Sequence, residues 1–138
     1  MTPAKAPLPF LGTWKLTKCE SSHPNLPHPV AGTTTFTQEQ DSIRYENEGM
    51  WSDGTKTNTH AVLTPGGSWC PVVGSLLADS LSIEIIPNGL AARMRKGGVE
   101  VGTTRATVAA DGRTMNSEWE IARPGGAAIT WKTTTVRV

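Results

Sequence analysis

Apolar side chains recur at every second position through much of this sequence. Leu81, Ile83 and Ile85 share one side against Ser82 and Glu84, Ile43 and Tyr45 oppose Arg44 and Glu46, and Ile129 and Trp131 oppose Thr130 and Lys132. A period of two belongs to a β-strand with one face buried. No eleven-residue window carries a convincing helical period, so long helices are not expected; a single turn over Ser75-Leu76-Leu77-Ala78 is the one short candidate. After residue 40 six turn signals punctuate the chain: Ser52-Asp53-Gly54, Pro65-Gly66-Gly67, Pro87-Asn88-Gly89, Gly97-Gly98, Asp111-Gly112 and Pro124-Gly125-Gly126. Glycine after Asp or Asn permits the positive φ that tight hairpins need. These punctuations predict strands near 10–19, 32–39, 42–51, 56–63, 68–73, 80–86, 90–96, 99–109, 113–122 and 127–137.

Many short antiparallel strands leave edges that closure removes most completely. The expected fold is therefore all-β, a single antiparallel up-and-down barrel of eight to ten strands over residues 1–138, with 1–8 an extended N-terminal segment. A β-sandwich is the alternative. The segment from Glu20 to Ala31 holds Pro24, Pro27 and Pro29, too many for a helix or a central strand, and reads as an irregular loop.

Composition narrows the function classes. The 138 residues are 37% hydrophobic and 18% charged with net charge +1, so neither a disordered chain nor recruitment of nucleic acid by bulk charge is indicated. No apolar run approaches the roughly 20 residues of a membrane helix. Three prolines in the first fourteen residues break any signal-peptide core, which implies a cytoplasmic protein unless an export signal was removed. Cys19 and Cys70 are too few for a disulfide framework and read as two reduced thiols, with a single 19–70 bridge as the lesser reading. His23 and His28 beside Cys19 lack a fourth ligand at zinc spacing, so neither a metal nor any other cofactor is expected. Oligomeric state is open between monomer and homodimer.

Gly12-Thr13-Trp14-Lys15-Leu16 resembles the first strand of lipocalins and fatty-acid-binding proteins, the calycin superfamily. Further stretches, Pro71-Val72-Val73-Gly74-Ser75, Ala78 to Ile83, Lys96 to Thr103 and Val108-Ala109-Ala110-Asp111-Gly112-Arg113-Thr114-Met115, are similar to small bacterial lipocalin-like proteins. The resemblance implies that Trp14 packs across the closed end of the barrel with a basic residue of the last strand on its ring. Arg137 has the matching position and shares strand parity with Ile129 and Trp131. Gly12, Trp14 and Arg137 are thus the expected closure. Two departures matter: the proline-rich loop replaces the helical pair of fatty-acid-binding proteins, and Arg137-Val138 stands where their Arg-x-Tyr carboxylate clamp would be.

Five tryptophans beside one tyrosine and two phenylalanines is an unusual aromatic choice. Trp51, Trp69, Trp119 and Trp131 fall on or beside strands and either fill the barrel or line a cavity for a flat, apolar ligand. His60, the one histidine within a strand, and Tyr45 are candidate polar anchors. Arg105 shares a side with Val99, Val101 and Thr103; if that side is interior it needs a carboxylate or an anionic ligand, and otherwise it is solvated. The leading expectation is a non-enzymatic binding protein for a small hydrophobic partner, with Tyr45, Trp51, His60, Trp69, Arg105, Trp119 and Trp131 as ligand contacts. One alternative is a cyclase- or isomerase-like barrel enzyme that polarises a carbonyl with Tyr45, His60 or Arg105. Another is a solidly filled structural or interaction module. No Ser-His-Asp, His-Glu-x-x-His or Cys-His spacing supports a catalytic site.

Overall fold

The computed structural model describes residues 8–123 and 125–138. Most of the expected N-terminal segment, residues 1–7, therefore lies outside the described residues. Ten strands follow one another: β1 (Gly12–Ser21), β2 (Pro29–Glu39), β3 (Ser42–Trp51), β4 (Lys56–Leu63), β5 (Cys70–Val73), β6 (Ser80–Ile86), β7 (Gly89–Lys96), β8 (Val99–Val108), β9 (Thr114–Ile121) and β10 (Ile129–Arg137). Each pairs antiparallel with its neighbour in sequence, and β1 pairs with β10 to close the sheet into a barrel. There is no helix among the described residues. Ser75–Ala78 forms bends rather than the helical turn expected there, because the Ser75 hydroxyl accepts from the Leu77 and Ala78 backbone N–H groups and holds a local loop instead.

Turn chemistry explains the meander. At the β8–β9 hairpin the Asp111 carboxylate accepts the backbone N–H groups of Arg113 and Thr114 at 2.8 and 3.0 Å. Those bonds, the Arg113 contact foremost, hold its carboxyl below the ordinary value. At the β3–β4 hairpin Asp53 accepts from Thr55 N at 3.0 Å in the same way. The wall is uneven. β5 is four residues long and makes only two residue pairs with each neighbour, His60↔Val73 and Ala61↔Val72 on one side, Cys70↔Leu81 and Pro71↔Ser80 on the other. β1 and β2 pair only over Gly12–Lys15 and Thr33–Phe36 and run on unpaired to each other, through Ser21 and from Pro29, so the loop expected over 20–31 shortens to 22–28.

Strand parity decides what fills the interior. The inward rows are read from burial: Ile43, Tyr45, Asn47, Gly49 and Trp51 on β3; Thr59, Ala61 and Leu63 on β4; Leu90, Ala92 and Met94 on β7; Thr104, Ala106 and Val108 on β8; Met115, Ser117, Trp119 and Ile121 on β9; Trp131, Thr133 and Thr135 on β10. A register shift between Leu16 and Lys18 lets β1 turn Trp14 and Leu16 inward and then Cys19. Cys19, half-buried, and Cys70, buried, are free thiols. No helix of the described residues is long and apolar enough to cross a membrane.

Candidate functional site

One end of the barrel is shut by a compact plug. Phe10 and Trp14 are fully buried, and Phe10 meets Phe36 edge to face with ring centroids 5.3 Å apart. The Trp14 indole donates Nε1–H to the Phe10 carbonyl at 2.8 Å. The Arg137 guanidinium lies 4.3 Å over the Trp14 ring and donates to the carbonyls of Leu11 (2.6 Å), Pro9 (2.8 Å) and Gly112 (3.1 Å). Gly12 is required beside it: its φ is +115°, and a Cβ there would stand 2.7 Å from Arg137 Nη1. Every polar group named in this plug has its partner.

Above the plug the barrel is hollow. A cavity of about 190 Å³ runs between the two walls, lined by Phe36, Tyr45, Leu63, Val72, Ile83, Ala92, Met94, Ala106, Met115 and the indoles of Trp51, Trp119 and Trp131, and by Leu76, Leu77 and Met50 toward the mouth. Thr34, Asn47, Thr57, Thr59, Thr104, Ser117, Thr133 and Thr135 set a belt of neutral polar groups among them, and among the described residues no lining side chain is charged. Trp131 is the centre of the aromatic wall, with Trp51 edge-on to it at 5.4 Å and Trp119 tilted against it at 6.1 Å.

Two buried polar groups here lack partners. The Trp131 Nε1–H and Thr104 hydroxyl are buried without a hydrogen bond among the described residues. Tyr45 packs on Phe36 at 5.5 Å, and burial pushes its phenol up to about 12. By contrast Trp119 Nε1–H reaches the Thr133 hydroxyl at 3.3 Å, and Asn47 Nδ2 donates to the Thr34 hydroxyl at 2.8 Å.

No protein-family model and no curated protein matches the chain. Solved structures do. An S-type phycobiliprotein lyase, CPES, from Guillardia theta superposes with a TM-score of 0.61 at 14% identity, over 94% of this chain and 89% of that one. The zebrafish ileal bile acid-binding protein complexed with cholic acid superposes with a TM-score of 0.58 at 10% identity, over 94% of this chain and 99% of that one. The likeness is one of fold, a closed antiparallel barrel of ten strands.

Within this barrel the residues singled out from the sequence separate into three places. Gly12, Trp14 and Arg137 meet in the plug. Tyr45, Trp51, Trp119 and Trp131 line the interior. His60, Arg105 and Trp69 do not reach it. His60 is exposed on the outer face of β4, paired across the sheet with Glu46 and Val73, because the inward row of that strand is Thr59, Ala61 and Leu63. Arg105 is exposed on β8 between Ala91 and Glu118, since Thr104 and Ala106 take the inward positions. It belongs to an open outer saddle of about 510 Å³ that includes Glu84, Arg93, Glu118, Glu120 and Lys132. Trp69 lies outside as well, its ring between the guanidinium groups of Arg95 at 4.3 Å and Arg93 at 5.2 Å; Arg93 is also ion-paired to Glu100. Of the three groups considered for polarising a carbonyl, only Tyr45 therefore faces the cavity.

The residues that sequence reasoning passed over are the interior Thr, Ser and Asn side chains. A signal was present: Thr57 and Thr59 share parity with Ala61 and Leu63, and Thr133 and Thr135 share parity with Trp131.

Proposed function

We propose that this protein binds a small hydrophobic molecule inside the barrel. The carrying observation is the uncharged cavity of about 190 Å³ walled by three indoles and aliphatic side chains. An apolar void near 150 Å³ is already large enough to take up benzene, whereas drug-sized ligands occupy pockets of about 300 Å³ and more. The occupant is accordingly a molecule of one or two rings. Cholic acid, with which the zebrafish protein was solved, is a tetracyclic steroid and larger than a guest of one or two rings. The shared fold supports use of the interior, and the chamber's modest volume argues for a small guest.

Burying a two-ring hydrocarbon removes its surface from water at about 25 cal/mol per Å², and the flat faces of Trp119 and Trp131 suit an aromatic guest. The test is a titration of the full chain with naphthalene, followed by tryptophan fluorescence. Saturable quenching at one equivalent is expected. No change up to the solubility limit would overturn the reading.

A further inference from the structure

One patch of the chamber wall carries no side chain, and its meaning rests on the binding function above. Gly32 of β2 and Gly49 of β3 pair directly across the sheet, between the pairs Ala31↔Met50 and Thr33↔Glu48, and both line the chamber. Glycine inside a strand weakens it, and it often marks a bulge or the close approach of a ligand or of other backbone. The irregularity between these two strands falls between Pro29 and Ala31, outside the glycine pair.

Backbone geometry demands the glycines of the other strands. Gly12 has φ +115°, and a Cβ at Gly89 or Gly102 would stand 1.8 Å from Ala106 O or 2.6 Å from Glu120 O. Gly32 is tight as well, with Glu48 O 3.2 Å from its Cβ position. Gly49 is under no such demand. Its φ is not positive, and the atoms nearest to an added Cβ are side-chain ends, Thr57 Oγ1 at 3.0 Å and Asn47 Oδ1 at 3.1 Å; the nearest backbone atom is Ala31 O at 3.6 Å. Both of those side chains line the chamber, so a methyl group at position 49 would take up chamber space.

A second feature beside this patch calls for a guest. Trp51, the next inward residue after Gly49 and about 7 Å further along β3, meets Trp131 edge-on at 5.4 Å. Trp131 is 2% exposed, and its N–H has no partner among the described residues. The bare patch therefore adjoins the aromatic wall.

We propose that Gly49 sets the size of the guest, by keeping open the place of the second ring of a flat, fused bicyclic aromatic molecule whose first ring rests against Trp51 and Trp131. A guest of one ring needs only the aromatic side. A side chain at position 49 converts the chamber from two rings to one.

The test compares naphthalene with benzene, titrated in sealed cuvettes against the wild-type chain and Gly49→Ala and followed by tryptophan fluorescence. A methyl group forced into occupied space should weaken naphthalene about tenfold or more and leave benzene within about twofold. The thermal midpoint of Gly49→Ala should be equal to or above that of the wild type, because alanine restricts the unfolded chain and its native φ is allowed. A clearly lower midpoint would show that the fold itself demands this glycine and would overturn the assignment. Unchanged naphthalene affinity, or equal loss of both probes, would also overturn it while leaving the binding reading intact. Failure of both probes to bind the wild type would overturn the binding reading and the assignment with it.

Discussion

Trp14 and Trp131 are alike in residue type and in burial, 0% and 2% exposed, yet they serve opposite ends of the barrel. Trp14 has every demand met: its N–H reaches Phe10 O at 2.8 Å and its ring carries Arg137. Trp131 has its N–H buried without a partner among the described residues, beside a cavity and two further indoles. A buried polar group left unpaired costs about 1–3 kcal/mol, so a wall that tolerates one has not been built for stability alone. The plug is the part of the interior that stabilises the fold; the chamber above it gives up stability to keep an open, partly unsatisfied surface.

The contrast can be broken by substitution. The largest effect is expected at the plug: Trp14→Phe should lower the unfolding free energy by about 3 kcal/mol, from lost volume, an unpaired Phe10 carbonyl and a reduced platform for Arg137, as read from denaturant midpoints.

Next is an alkaline transition belonging to the chamber. Burial raises the Tyr45 phenol from its ordinary 10 to about 12 in the folded state. The unfolded chain ionises first, so this contribution is complete below pH 10 and is lost as pH rises toward 12, amounting to roughly 2–3 kcal/mol. Stability of the wild type minus that of Tyr45→Phe, measured from pH 9 to 12, should fall by that amount; a flat difference would show that the phenol is solvated.

Arg137→Met should cost about 2 kcal/mol, and Arg137→Lys should recover little of it, because an ammonium cannot both stack on the indole and reach three carbonyls. The smallest change is expected at Trp131→Phe, about 1 kcal/mol, since the N–H it removes is unpaired and only ring volume is lost. A cost at Trp131 equal to that at Trp14 would remove the distinction between plug and chamber.

How much of this was legible in the sequence depends on whether alternation points to the interior. Strand positions followed from turn glycines and aspartates, and the ten segments fall where Asp53, Asn88, Asp111 and their glycines divide the chain. Alternation also carried the inward side of Trp131 along β10 to Arg137. It failed where the interior is hollow. On β8 the apolar side chains Val99 and Val101 begin the outer row, whereas the inward row is Gly102, Thr104, Ala106 and Val108, so judging the core face by hydrophobicity placed Arg105 on the wrong side. On β4 the inward row begins with Thr57 and Thr59, which hides that His60 faces out. A filled core marks its face with large apolar residues; a chamber is lined with small and hydroxylated ones, and periodicity cannot tell those from surface. Trp69, expected as a ligand contact, was misplaced for another reason: it precedes β5 and is drawn outward onto Arg93 and Arg95, a contact between distant segments that no local pattern encodes.

The five indole N–H groups offer the most direct test of the central claim, because they sample every region in question. In a ¹H–¹⁵N spectrum of the uniformly labelled protein titrated with 2-naphthol, the Trp131 and Trp119 indole signals should move most and Trp51 with them, while Trp14 in the plug and Trp69 on the outer face stay within experimental error. Shifts confined to Trp69, or movement of Trp14 as large as that of Trp131, would contradict a ligand chamber built above a structural plug.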